Sequence, residues 1–334
     1  LAPFGELLTI TAAPAYILTK VSGDTTGVIS GDTTEVMVRV KDYYGNPVAG
    51  EIVRFGIKSD LGGSPALLDD IGAPGDGIVS TNGFGYAWCR LVTDTNTGTN
   101  VVEATILDGE PAERERVEFS VETSAGSISR YELATDNYTR KAGEHFDVDI
   151  VAYDLNGNVA YGDFTTVVQL GSNATAVWDS NPVTLSNGSV TVGVVETLAG
   201  NLVLSAETFG GGAMSYSGTV TVKPEAPFGI IGISSVVPDT ITADGDSRCA
   251  ITTGQILDQY GNIVETRSKI TVEPSDGTVA SDDTDPAISG VQRETAINGV
   301  VSAFIESSAT PGNVTVGFTS VEGSASGRRA SAGG

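Results

Sequence analysis

Forty-two acidic side chains stand against eighteen basic ones and a single histidine, and this sets the chemistry open to the chain. Nucleophilic catalysis through a Ser-His-Asp or Cys-His arrangement would have to use His145. In "AGEHFDVDI" that residue alternates with Phe146 and therefore faces outward at the entrance of a strand. No G-x-S-x-G elbow, phosphate loop, HExxH or dinucleotide fingerprint occurs. One histidine and two distant cysteines do not make a zinc site. A pair of carboxylates working as acid and base needs a concave site, which small sandwiches fill with their own core. The sequence points away from catalysis.

Hard cations are the better match to so many carboxylates, because calcium takes six to eight oxygens from flexible loops. Asp69, Asp70 and Asp76 cluster in "LLDDIGAPGDG", Asp276, Asp282, Asp283 and Asp285 in "PSDGTVASDDTDP", and Asp239, Asp244 and Asp246 in "PDTITADGD". None follows the EF-hand spacing. The competing reading is that aspartate favours turns and keeps an exported surface soluble. Calcium is thus the only cofactor expectation, set beside none at all.

Aromatic side chains offer a contact surface. In "GYAWCRLV" alternation places Ala87, Cys89 and Leu91 on one face and Tyr86, Trp88 and Arg90 on the other. Tyr86 and Trp88, with Trp178 in "TAVWDSNP", could stack on a sugar or cover a neighbouring loop or domain. Cys89, on the Ala/Leu face, reads as a reduced core thiol, with a bridge between protomers as the sharper alternative. Cys89 and Cys249 fall in different segments, so no disulfide framework follows.

What positions these residues is a repeat. The net charge of −24 excludes nucleic acid as a partner. No run is long and apolar enough for a membrane-spanning helix. Forty-two glycines with abundant Thr, Ser and Val give turns joined by strands. The turn Asp42-Tyr-Tyr-Gly45-Asn46 recurs as Asp154-Leu-Asn-Gly157-Asn158 and as Asp258-Gln-Tyr-Gly261-Asn262. In each, Asp can accept from amides two residues on, Gly supplies positive φ and Asn tolerates the left-handed region. Downstream come Asn82-Gly83, Asn187-Gly188 and Asn298-Gly299, each leading into a strand, then Gly98, Gly200 or Gly312 and a closing strand.

The same order three times means three copies of a unit of about 100 residues, the size of an Ig-like sandwich. The expected fold is all-β, with tandem antiparallel Ig-like sandwiches in a rod. A leader spans 1–10, the domains span 11–123, 124–224 and 225–325, and a flexible tail occupies 326–334. "APFG" occurs at Ala2 to Gly5 and at Ala226 to Gly229, so the chain's start reads as a domain junction. "ETSAGSISRYEL" reads as a Ser/Gly hinge, and "KPEAPFG" as a joint stiffened by proline. The apolar leader could donate a strand to a neighbour.

These residues resemble the bacterial Ig-like repeats of the invasin and intimin class of surface proteins. "SGDTTEVMVRVKDYYGNPVAGEIVRF", "TNGFGYAWCRLVT" with "GTNVVEATI", and "TITADGDSRCAITTGQILDQYGNIV" carry the likeness. The first and third copies hold the pattern best. The resemblance implies exported sandwiches strung end to end and brings no catalytic residues. It also implies a lectin-like tip with paired cysteines in some members, and nothing in this sequence resembles one.

The expected role is therefore a non-enzymatic structural protein of a cell surface, filament or lattice. Its partners would be further copies or neighbouring repeats, and its location extracellular. An adhesin or carbohydrate-binding module contacting a host or glycan, a virion decoration or tail protein, and a noncatalytic module of a secreted enzyme are the alternatives.

Overall fold

The computed structural model describes residues 9–59, 61–68, 74–107, 113–323 and 326–330. Among the described residues every regular element is a strand. Three separate clusters of buried side chains run from Leu18 to Val121, from Tyr131 to Val222 and from Ile231 to Phe318. We refer to them as the first, second and third domains.

In the first domain, Ala15–Ser22, Thr33–Asp42, Tyr86–Val92 and Ala66–Leu68 form one sheet in that order. Thr25–Ile29, Glu113–Ser124, Gly98–Leu107, Ile52–Ser59 and Ile78–Ser80 form the other. Alternation in Thr33–Asp42 sends Val36, Val38 and Val40 inward to full burial. There Val36 and Val38 register against Cys89 and Ala87, Val40 registers against Leu18, and all three share a core with Phe55 and Phe119 from the opposite sheet. The chain switches sheets at Gly23, whose φ of 132° and close approach to Val36 and Phe119 leave no room for a side chain.

The second domain repeats the plan. Arg130–Ala134, His145–Tyr153, Ser189–Val195 and Val177–Trp178 make one sheet. Phe146, Val148, Ile150 and Ala152 point into its core, as their period of two requires. The third domain pairs Ile233–Val237, Arg248–Thr253, Ser302–Glu306 and Thr278–Val279 over the sheet that holds Lys269–Pro274 and Thr315–Ser320. Most pairing is antiparallel, but Thr25–Ile29 with Glu113–Ser124 and Thr139–Lys141 with Val220–Lys223 run parallel. In both cases a strand that has just changed sheets meets the last strand of its domain.

Two sequence expectations need correction. Ser326–Ala330, inside the segment read as a loose tail, forms a strand antiparallel to Thr315–Ser320. A sheet edge offers backbone partners to any extended chain, and low-complexity composition hides this. The supposed hinge after the first domain is pinned: Ser30 N–H donates to Ser124 C=O at 2.9 Å, and Gly126 N–H to Asp154 Oδ2 at 3.0 Å.

Candidate functional site

The three D-x-x-G-N turns are built alike. The Asp N–H donates to the Asn C=O at 2.9 Å in all three. The Asn N–H returns to Asp Oδ1 at 2.8, 2.8 and 2.9 Å. The Asn side-chain amide donates to Asp Oδ2 at 3.0, 2.9 and 2.9 Å. Gly45, Gly157 and Gly261 hold φ near +90°, at 88°, 90° and 87°. The aspartates accept from backbone two residues on, as with Tyr44 and Tyr260, in line with the sequence reading.

The asparagine has a different job from the one expected. Among the described residues, positive φ outside glycine falls on Ser64, Asn187 and Arg267, so Asn46, Asn158 and Asn262 are not left-handed. Their amides matter instead. Asn158 Nδ2 donates to Thr95 C=O at 2.8 Å, while Thr97 N–H donates to Asn158 Oδ1 at 3.1 Å. Asn262 Nδ2 donates to Thr197 C=O at 2.8 Å, while Ala199 N–H donates to Asn262 Oδ1 at 2.8 Å. In each case the partners are the backbone groups three and one residues before the glycine, Gly98 or Gly200, that closes a loop of the preceding domain. A primary amide can donate to a carbonyl and to its own aspartate while accepting from an N–H; a carboxylate has no donor and a hydroxyl only one.

Each turn aspartate also holds the linker. Gly126 N–H donates to Asp154 Oδ2 at 3.0 Å and Glu225 N–H to Asp258 Oδ2 at 2.9 Å. The third turn residue completes the contact. Asn156 Nδ2 reaches Ser30 C=O at 3.4 Å, and Tyr260 lies where a side chain on Gly143 would collide with it. These are the joints between consecutive domains, bonded twice by one scheme. Asp154 and Asp258 are buried there, 2% and 4% exposed, and Asn262 is 7% exposed. Burial pushes the Asp154 carboxyl up, but hydrogen bonds from the Asn158 side chain and the amides of Gly126, Asn158 and Asn156 outweigh it and hold it below the usual range.

The loops that meet the asparagines are themselves fixed by a buried acid four residues before the glycine. Asp94 accepts from Leu61 and Gly63 at 2.8 and 3.0 Å and from Asn96 at 2.8 Å. Glu196 Oε1 accepts from Thr197 and Leu198, each at 2.8 Å, and from the Thr175 hydroxyl at 3.0 Å. The surface pair Lys223–Glu265, at 3.2 Å and half exposed, adds little to the second joint.

Of the calcium candidates, Asp69 and Asp70 lie outside the described residues. Most of the others accept hydrogen bonds or form ion pairs nearby, whereas Asp246 donates its N–H to Asp244. Asp76 caps Ile78, and Asp276 takes Gly277 and the Ser308 hydroxyl. Asp283 takes Asp285 and Gln292, and Asp285 pairs with Lys269. Asp282 contributes its backbone C=O to Arg293, and Asp239 lies against the Thr240 hydroxyl. Asp244 takes the amides of Asp246 and Ser247 and the Ser247 and Ser307 hydroxyls. Among the described residues no three His, Cys, Asp or Glu side chains converge on one point.

The aromatic candidates are not brought together. Tyr86 and Trp88 are half-buried on a first-domain strand, with Arg39 over the Tyr86 ring, whereas Trp178 packs on the second-domain core. Cys89 and Cys249 are both buried and unbridged, and burial pushes the Cys249 thiol up. His145 is exposed and hydrogen-bonded to Asp179 at 2.9 Å, which raises its pKa.

No protein-family model matches the chain, and no curated protein matches it. Solved structures do. FdeC, an Escherichia coli adhesin described as eliciting protection against urinary tract infections, aligns over 97% of this chain and 100% of its own, with 17% identity and a TM-score of 0.52. InvD of Yersinia pseudotuberculosis aligns over 94% of this chain and 96% of its own, with 17% identity and a TM-score of 0.50. The fold is thus that of tandem Ig-like domains, as in these two structures and as the sequence resemblance implies.

Proposed function

We propose that this chain is a non-enzymatic, surface-exposed spacer, a stalk of Ig-like domains that holds another part of its assembly at a set distance. One observation carries the reading: both joints use the same Asp/Asn bonding scheme, Asn158 to Thr95 and Thr97, Asn262 to Thr197 and Ala199. A sandwich that buries its own core can be added in series without a new folding problem. A joint that pins linker, turn and loop together converts the added length into reach, because each pinned domain cannot fold back on its neighbour. The acidic surface, with net charge −24, keeps such chains apart and soluble. FdeC, described as an adhesin, and InvD share the fold, which accords with this reading.

The test is where the protein sits and what it does there. Antibodies raised against the purified chain are expected to label intact, unpermeabilised cells that make it. Label that appears only after permeabilisation would remove the surface role. Binding of the chain to a glycan array, lost on Trp88→Ala, would replace the spacer with a carbohydrate-binding module.

A further inference from the structure

The first domain carries the same turn, and no other described domain rests on it. Asp42 accepts Ala13 N–H on Oδ2 at 3.0 Å, the bond that Gly126 and Glu225 make to Asp154 and Asp258. Asn46 keeps its bond to Asp42 yet is exposed, whereas Asn158 and Asn262 are covered by the preceding loop. Tyr44, at the position of the joint residues Asn156 and Tyr260, is 79% exposed. It continues a row of rings with Tyr43 and Tyr16, each pair of centroids 5.4 Å apart. Ile10 stands three residues before Ala13 and is 86% exposed. At the same distance before the two linker residues stand Thr123 and Val222, both buried in the last strand of the preceding domain. The "APFG" repetition does not mark this register, since it would set Leu1 rather than Ala13 in the place of Glu225.

We propose that the Asp42–Asn46 turn, with Tyr44 and Ala13, is a third copy of the joint, and that it receives the far end of another Ig-like domain in tandem. The occupant must present a loop like Thr95 to Gly98 or Thr197 to Gly200: a free C=O three residues before the glycine and a free N–H one before it. The bond from Ala13 favours a tandem domain, because the linker already lies in its joint position. A second copy of this chain is the wrong occupant. Its corresponding loop runs Ser308 to Gly312, with Pro311 where the N–H is needed and Ser308 where Asp94 and Glu196 stand. The third domain therefore cannot complete the pair of bonds at Asn46, and the joint series has a direction. This extends the spacer reading by one joint but rests on the geometry of the joints alone.

The test adds a domain known to carry the right loop. A copy of residues 125–223 is placed directly before Ala12 of the otherwise intact chain, replacing residues 1–11. Hydrogen exchange is then followed in the peptide holding Tyr44 to Asn46. Exchange there is expected to slow at least about tenfold, roughly 1.4 kcal/mol of added protection. Ala199→Pro in the added copy alone should restore the original rate while the copy's core amides stay protected. An unchanged rate beside a protected copy would overturn the proposal. If the copy's core is unprotected, a copy of residues 15–124 with its Thr97 loop takes its place, and the same two outcomes decide. The unextended chain should sediment as a monomer at about 100 μM; a dimer abolished by Tyr44→Ala would overturn the choice of occupant. Neither readout depends on where the protein is displayed, so each can fail without the other.

Discussion

The asparagine that closes the turn at each of the two joints does two jobs with one amide: it satisfies its own aspartate and grips the loop behind it. The aspartate does likewise with its carboxylate, holding turn and linker at once. This makes the first joint sensitive to acid. The Asp154 carboxyl is held below the usual range in the folded chain, so its contribution is complete above the unfolded value, near about 3.9. It is lost as pH falls through the lower folded value. Protection of the Gly126 segment against hydrogen exchange, taken relative to the intrinsic rate at each pH, should therefore fall as the pH drops below about 4. Asp154→Asn, which keeps an acceptor but does not titrate there, should flatten that dependence; an identical acid response in the variant would contradict the assignment.

At the scale of strands and turns, local chemistry was readable and contact across domains was not. Val36, Val38 and Val40 announce a half-buried strand by period alone, and the D-x-x-G-N turn follows from what Asp and Gly do within five residues. The joint role of Asn158 and Asn262 left no such mark, because its partners are backbone groups about sixty residues upstream, at Thr95, Thr97, Thr197 and Ala199. Backbone partners impose no side-chain pattern. The acidic clusters are ambiguous in the sequence for a related reason, since Asx turns and metal loops draw on the same residues. The crossover at Gly23 gives a test at this scale. Gly23→Ala adds a Cβ 2.9 Å from Val36 Cα at a φ of 132°. It should destabilise by more than about 1 kcal/mol. For a domain of about 100 residues that lowers the melting midpoint by roughly 4 °C or more. The first-domain transition alone should move, and a shift shared by all three would show their cores to be coupled.

For the molecule as a whole, three cores and two matching joints imply that length and direction are built by repetition. Fixed joints distinguish a spacer from domains on a loose tether, for which linker composition would set the reach. The bonds at Asp258 and Asn262 clamp the "KPEAPFG" joint from both sides. The measurement that bears most directly on the account is small-angle X-ray scattering on the intact chain and on the double variant Asn158→Ala/Asn262→Ala. Asn158→Ala removes three bonds across its joint, to Thr95, Thr97 and the Ser30 hydroxyl, and Asn262→Ala removes two, about 1 kcal/mol apiece. Both leave the cores untouched. The native chain should fit one interdomain arrangement, and the variant should need a broad ensemble with a smaller mean dimension at the same melting temperatures. Superimposable curves from the two proteins would contradict the claim that these asparagines fix the joints.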